Sequence, residues 1–454
     1  MDIVTLLPVL MFLSLAILLF SGFPVAFILG GVGLMFGFIG ISYEVFSFIE
    51  FFNILSRIWG GVCENLILVA IPMFIFMGTM LEKSGVAKDL LYALQILLRT
   101  IPGGLALSVT IMGTIMAATT GIIGASVVMM TLLALPVMLE RKYDKSLATG
   151  TIAASGTLGI LIPPSIMLVI MADLLAISVG TLFVASVIPG FLLASLYFFY
   201  LFFRTRFNPK LAPSLPKNIG PSTKKEKILL ILKSFIPPIA LIVLVLGSIF
   251  AGYATPTEAA GVGALGSIIL AIINRRLNFK VLKDVTERSA LTGAMIFGIF
   301  VGATAFSYVF RSLGGDDLIH EFVNGMGFGA WGILFIMMGL VFLLGFFFDW
   351  VEITLIVLPL FAPIMQTLDF GDHLSSQMVV PWIAVLLAVN LQTSFLTPPF
   401  GFALFYMKGV SPPEVKIQTI YRGIIPFVLL QLLGLILVIS FPEIALWLPE
   451  LILD

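Results

Sequence analysis

The chain has 454 residues, of which 60% are hydrophobic and 11% charged, against roughly 25% charged in an ordinary soluble domain. That excess of apolar surface excludes a soluble fold, and the net charge is zero, from 24 basic and 24 acidic residues, with the basic ones clustered; no nucleic-acid partner is expected. Apolar stretches of about 20 residues, enough to cross a bilayer core of about 30 Å, recur throughout, so the lipid bilayer is the expected solvent.

Residues 3–21 and 24–42 read as the first two spans. No Lys or Arg precedes Arg57 and no small-residue cleavage site follows the first apolar core, so a retained membrane helix is expected there rather than a signal peptide. The stretch 44–61 is amphipathic and too polar to span, and is expected to lie in the membrane interface. Cys63 stands alone, which excludes an intramolecular disulfide and a multi-cysteine metal site. A third span covers 64–82.

Between Arg99 and Arg141, two arms of about 17 residues flank Thr119, Thr120 and Gly121. Each arm is roughly 25 Å long at 1.5 Å per residue, short of a full crossing, so 103–139 is predicted as a re-entrant helical hairpin. Spans near 147–176 and 180–203 complete the first half, residues 1–203. The segment 204–228 is polar, rich in proline and basic, which predicts a cytoplasmic linker. The second half, 229–454, gives spans near 229–251, 256–274, 287–310, 380–407 and 423–447. It also holds a second hairpin at 331–368, broken at Gly345 and carrying Asp349 and Glu352.

The halves resemble each other in order. Pro24 matches Pro256, Pro163 matches Pro398 and Pro189 matches Pro426, at offsets of 232, 235 and 237. Five full spans in the first copy, an odd number, invert the second. The charge map agrees, since no Lys or Arg occurs in 312–407 or at either terminus, and the basic clusters at 140–145, 204–227 and 275–284 fall on one side. The expected fold is an all-α polytopic membrane protein of two inverted-topology repeats, each with a re-entrant helical hairpin, a ground plan common among secondary transporters.

Non-helical backbone at membrane depth is tolerated only inside protein or beside a wet cavity, which directs attention to the breaks. Beside each hairpin a long span is interrupted, at AASGTLGILIPPS (153–165) and NLQTSFLTPPFG (390–401). Ser155 precedes Pro163 by eight residues, as Asn390 precedes Pro398. Hydroxyls and freed carbonyls are hard oxygen ligands suited to sodium. One cation site is expected from Thr119, Thr120, Gly121, Ser155, Gly156 and Thr157, and a second from Gly345, Asp349, Asn390, Thr393 and Thr397. The substrate is expected beside Ser155, Pro163, Pro164, Asn390, Pro398 and Pro399, with half-helix N-termini favouring its carboxylate. Single Ser or Thr residues also serve plain helix packing, and Asp349 also suits a helix cap. Asp173, Arg311 and Lys408 fall near span ends and read as interfacial.

No phosphate-binding G-x-x-x-x-G-K-[ST] occurs, His320-Glu321 fails the H-E-x-x-H zinc pattern, and two histidines argue against haem. No catalytic cluster is visible, so the chain is read as a transporter without cofactor rather than an enzyme. A membrane-embedded enzyme is the remote alternative.

At AASGTLGILIPPSI, TPTEAAGVGAL, LPVMLERKYD and LTPPFG the chain resembles the large, DctM-like membrane subunit of tripartite ATP-independent periplasmic (TRAP) transporters, over essentially its whole length. The resemblance implies sodium-driven uptake of an organic acid across the bacterial or archaeal cytoplasmic (inner) membrane. It also implies two partners, a small four-helix membrane subunit and a periplasmic substrate-binding protein. Where the family's first hairpin reads S-G-S-S-x-A-T, this chain has Thr120-Gly121-Ile122-Ile123-Gly124-Ala125-Ser126, with two hydroxyls replaced by isoleucine. The second hairpin keeps G-x-x-x-D as Gly345 to Asp349. The DWVEI continuation resembles the branch associated with mannitol, chloroaromatic or 2-oxo acids. The resemblance implies an elevator-type transporter fold, in which both hairpins and both broken spans move as a transport domain against a scaffold of the remaining helices. A stand-alone carrier or antiporter of the same superfamily is the alternative.

Overall fold

A computed structural model describes residues 3–121, 123–216, 220–221, 223–325, 327–399 and 401–453, with the side chains of 118–120, 320, 322–324 and 453 outside the description. Its regular elements are helical. Nine helices among the described residues are long and apolar enough to cross a membrane.

In chain order, α1 (Ile3–Leu19) and α2 (Val25–Ser42) are followed by the short α3 (Glu50–Ile58) and by α4 (Ala70–Lys83) and α5 (Val86–Leu98). The first hairpin is α6 (Gly104–Thr120) and α7 (Ile123–Glu140), and the first broken span is α8 (Lys145–Thr157) and α9 (Ile166–Leu174), followed by α10 (Val179–Phe207). The second copy begins with α11 (Lys224–Phe250), α12 (Pro256–Ile273), α13 (Phe279–Ser312) and α14 (Gly315–Gly325). Its hairpin is α15 (Ala330–Leu344) and α16 (Trp350–Met365), its broken span α17 (Val379–Leu396) and α18 (Phe402–Val410), and its last helices α19 (Ile417–Ser440) and α20 (Glu443–Leu453).

Several starts are dictated locally. Asp144 accepts the Leu147 N–H at 2.8 Å, and Thr223 and Thr255 form capping boxes with Glu226 and Glu258, satisfying backbone donors that a helix cannot pair internally. The predicted interfacial stretch contains α3, and in and around that helix it exposes Phe48, Ile49, Phe52, Leu55 and Trp59, an apolar surface of the kind such a segment turns to lipid.

Packing follows the repeat. Helix α2 packs on α13 as its counterpart α12 packs on α4, and α8 packs on α19 as α17 packs on α10. The second arm of each hairpin, α7 or α16, packs on the far half of the other copy's broken span, α18 or α9. At the α2–α13 contact a Cβ on Gly33 would lie 3.2 Å from the Ala305 and Phe306 backbone, close packing of the kind small residues allow in membranes. Helices α10 and α19 pack on the broken spans, whereas α2, α4, α12 and α13 form a layer that meets the hairpins and the first broken span through α4 and α13.

Three differences appear. Helices α5 and α14, absent from the sequence expectation, connect that layer to the hairpins. The predicted span 423–447 stops at Ser440, because Pro442 supplies no N–H, and α20 restarts at Glu443. The first part of the linker is held on the base of the first hairpin by backbone hydrogen bonds: Gly103 N–H to Ala212 O at 2.9 Å, Asp144 N–H to Leu211 O at 2.8 Å and Leu215 N–H to Arg99 O at 2.8 Å. Tyr143 reinforces that base by accepting the Leu105 N–H at 3.2 Å, and burial pushes its phenol up to about 12.

Candidate functional site

Residues 147–172 and 381–396 are buried without exception, so both broken spans run through the protein centre, shielded from lipid. That is where open backbone is affordable at membrane depth. The first break covers 158–165 and the second 397–401; both Pro–Pro bonds, Pro163–Pro164 and Pro398–Pro399, are cis.

Each hairpin tip abuts the break of its neighbour. Gly121 turns the first tip with φ +58, and a Cβ there would lie 3.0 Å from the Ile166 side chain at the start of α9. Gly345 turns the second, and a Cβ there would overlap Ser394 Oγ at the end of α17. The symmetry-related pair behaves alike. Ser155 Oγ lies 3.4 Å from Thr110 Oγ1 on α6, and Asn390 Nδ2 donates to Met338 O on α15 at 2.7 Å. Each reaches the first arm of its own hairpin.

The two broken spans also meet each other, just before their breaks. Gln392 Nε2 donates to Thr157 Oγ1 at 3.4 Å, and that hydroxyl donates to Ala154 O at 3.0 Å. Gln392 is fully buried and its Oε1 has no hydrogen-bond partner among the described residues, as is true of Thr354 Oγ1 on α16. A buried carbonyl without a donor costs about 1–3 kcal/mol, so Gln392 offers an oxygen to whatever occupies the centre. Sequence reasoning missed both residues; the signal for Gln392 was its position between Asn390 and Thr393.

The other expected ligands divide. The side chains of Thr119 and Thr120 lie outside the described residues, as does Ile122. Gly156 is buried against Val127, where a Cβ would fall 2.7 Å from Val127 Cγ2. Thr393 and Thr397 turn their hydroxyls to Val389 O at 2.9 Å and Thr393 O at 2.7 Å, leaving lone pairs free. Asp349 caps α16. Its carboxylate accepts the Trp350 N–H at 2.8 Å and Glu352 accepts the Asp349 N–H at 3.2 Å. No hydrogen bond among the described residues joins Asp349 to Asn390, Thr393 or Thr397.

The N-terminus of α16 is already faced by two carboxylates, while α9 and α18 start at Ser165 and Gly401 without a side-chain cap. The uncapped positive helix ends among the described residues here therefore include those of the broken spans. Tyr406 on α18 lies within electrostatic reach of Asp349 and Glu352, and its ring would meet a Cβ on Gly124 of α7 at 3.1 Å. The two proline pairs differ in access, since Pro163 and Pro164 are buried whereas Pro398 is half-buried and Pro399 exposed. Among the described residues no cluster of three or more His, Cys, Asp or Glu could hold a metal ion.

The arrangement has counterparts. The family described as "Tripartite ATP-independent periplasmic transporter, DctM component" matches residues 12–444. The C4-dicarboxylate TRAP transporter large permease protein DctM of Pseudomonas aeruginosa is 29% identical over 389 residues, 85% of this chain and 87% of that protein. The sialic acid TRAP transporter large permease protein SiaM of Vibrio cholerae is 26% identical over 439 residues, 96% and 97% of the two chains. The crystal structure of the Alcanivorax borkumensis YdaH transporter, whose topology is described as unusual, superposes with a TM-score of 0.59 at 14% identity, covering 88% of each chain. That likeness extends to the fold.

Proposed function

The chain belongs to the DctM component family of tripartite ATP-independent periplasmic transporters, and on that premise we propose that it is the translocating subunit of a sodium-coupled system taking up an organic acid. It would sit in a bacterial or archaeal inner membrane with a small membrane subunit, and a periplasmic binding protein would deliver the substrate. The observation that carries this reading is the meeting of the two broken spans: both hairpin tips close on interrupted helices at the buried centre, where Gln392 of α17 and Thr157 of α8 touch just before their breaks. Open carbonyls, hydroxyls and the Asp349 carboxylate suit a hard cation. The uncapped starts of α9 and α18 suit a carboxylate. Opposite charges binding at one locus screen each other, which couples their occupancy.

The packing of α6–α10 and α15–α20 around the breaks, apart from the α2, α4, α12 and α13 layer, supports movement of the first group past the second. The matched relatives are named for C4-dicarboxylate and sialic acid, both carboxylic acids, which supports the substrate class here.

The test is uptake into vesicles holding the complete transporter under an imposed sodium gradient, across a panel of organic acids with and without the binding protein. Uptake that needs both the gradient and the binding protein supports the proposal. Uptake without the binding protein favours the stand-alone carrier, and sodium-independent uptake removes the coupling ion.

A further inference from the structure

Away from the breaks, a cavity of about 480 Å³ opens between α3 and α13 on one side and α9 and α16 on the other. Two arginines face it, Arg57 in the last turn of α3 and Arg311 in the last turn of α13, with the hydroxyls of Thr304, Ser307, Tyr308 and Ser312. Arg57 is exposed and forms no ion pair among the described residues. Arg311 donates Nη2 to Pro359 O at 2.9 Å, and its Nε stands 3.7 Å from Asp316, beyond hydrogen-bond distance, in a partly exposed ion pair. Tyr308 OH accepts from Asn53 Nδ2 at 2.9 Å, so its own hydrogen is free to donate. Thr304 donates back to Phe300 O at 2.8 Å. The remaining walls, Leu174, Leu355 and Pro359, are apolar.

We propose that this cavity is a reception site for a carboxylate, held between the Arg57 and Arg311 guanidiniums and the Tyr308 hydroxyl before it reaches the breaks. The inference rests on the reading of the chain as an organic-acid transporter. Guanidinium presents a planar fork that matches a carboxylate, and a positive cleft with low-dielectric walls concentrates anions. The position fits a waiting place. The arginines belong to helices on the α2, α4, α12 and α13 side, while the opposite wall belongs to the second hairpin and first broken span. An anion there touches both groups at the seam between them. Asp316 is the competitor, and a bound carboxylate would displace it from Arg311.

The test reads local potential without transport. In the full chain with Cys63→Ser, cysteine is placed at Ser307, and separately at Thr304 in case one variant folds poorly. Modification rates with anionic sulfonatoethyl and cationic trimethylammonioethyl methanethiosulfonate are normalised to their reaction with a free thiol at low ionic strength. The anionic reagent is expected to be favoured about tenfold. Arg57→Gln should lower that ratio about threefold or more, Arg57→Lys should largely keep it, and millimolar succinate should slow the anionic reagent selectively. A normalised ratio near unity, or one that Arg57→Gln leaves unchanged, overturns the proposal. Vesicles that take up organic acids sodium-dependently while the ratio stays at unity keep the proposed function and remove this site. A high, Arg57-dependent ratio in a chain that moves no organic acid does the reverse.

Discussion

The Asn65 side-chain amide donates to Asp173 Oδ1 at 2.7 Å, joining the segment that leads into α4 to the far end of the first broken span. Asp173 was expected simply at an interface; it is half-buried and held across the seam between the two helix groups. Asn65→Ala strands that carboxylate and should lower the stability of this conformation by about 1–2 kcal/mol. Thermal unfolding in detergent checks this, and a midpoint equal to wild type would show the bond to be dispensable.

Asp349 both caps α16 and is the proposed cation ligand, and one substitution separates the roles. Asparagine caps as well as aspartate, so Asp349→Asn should leave unfolding within about 0.5 kcal/mol while raising the sodium concentration for half-maximal uptake severalfold. Asp349→Ala should also lose about 1 kcal/mol of stability. An unchanged sodium activation curve for Asp349→Asn would leave the residue a cap alone.

Gly345 approaches Ser394 so closely that a Cβ would overlap its hydroxyl oxygen. Gly345→Ala should cost about 1–3 kcal/mol through overpacking and push the second tip from its break. Ser394→Gly should recover most of that in the double variant, read as a coupling energy in a double-mutant cycle. Simple additivity of the two changes would place the tips apart.

Gln392 gives a prediction of opposite sign. Replacing its amide with the apolar Met gives up the long Nε2–Thr157 bond but removes a buried, unsatisfied oxygen, so Gln392→Met should unfold at the same or a higher temperature. Uptake should nevertheless fall at least about tenfold, stability and function being opposed at such sites. Full uptake would reduce Gln392 to packing.

Topology is tested with native and introduced thiols. Cys63 is free and exposed, and in intact cells a membrane-impermeant maleimide should label it when no partner subunit covers it. Ser214→Cys in a Cys63→Ser chain should label only after permeabilisation, since the linker is read as cytoplasmic. Labelling of both from outside would contradict inverted repeats.

Much of this was legible in the sequence because membrane chemistry makes Pro, Gly and small hydroxyl residues conspicuous. Gly121, Gly345 and the two Pro–Pro pairs fix both hairpins and both breaks to within a few residues. What stayed hidden has no composition signature. Helix α5, with Lys88 and Asp89 inside it, is too short and polar for a span, and α14 opens with Asp316 and Asp317. The partition of α10 and α19 depends on which faces pack, which apolar residues on every side do not reveal. In the candidate site, the matched spacing of Ser155 and Asn390 was readable, whereas the unpartnered oxygen of Gln392 appears only when its surroundings are known.

The linker sets a mechanical limit. Its first part is fastened to the base of the first hairpin up to Leu215, whose N–H bonds Arg99 O at 2.8 Å, and α11 begins at Lys224. Nine peptide units separate those points, a chain length of at most about 30 Å. On the proposed movement the hairpin base carries the fastened segment with it, so that length caps its displacement from α11. Each residue removed from that stretch should shorten the permitted stroke by about 3 Å.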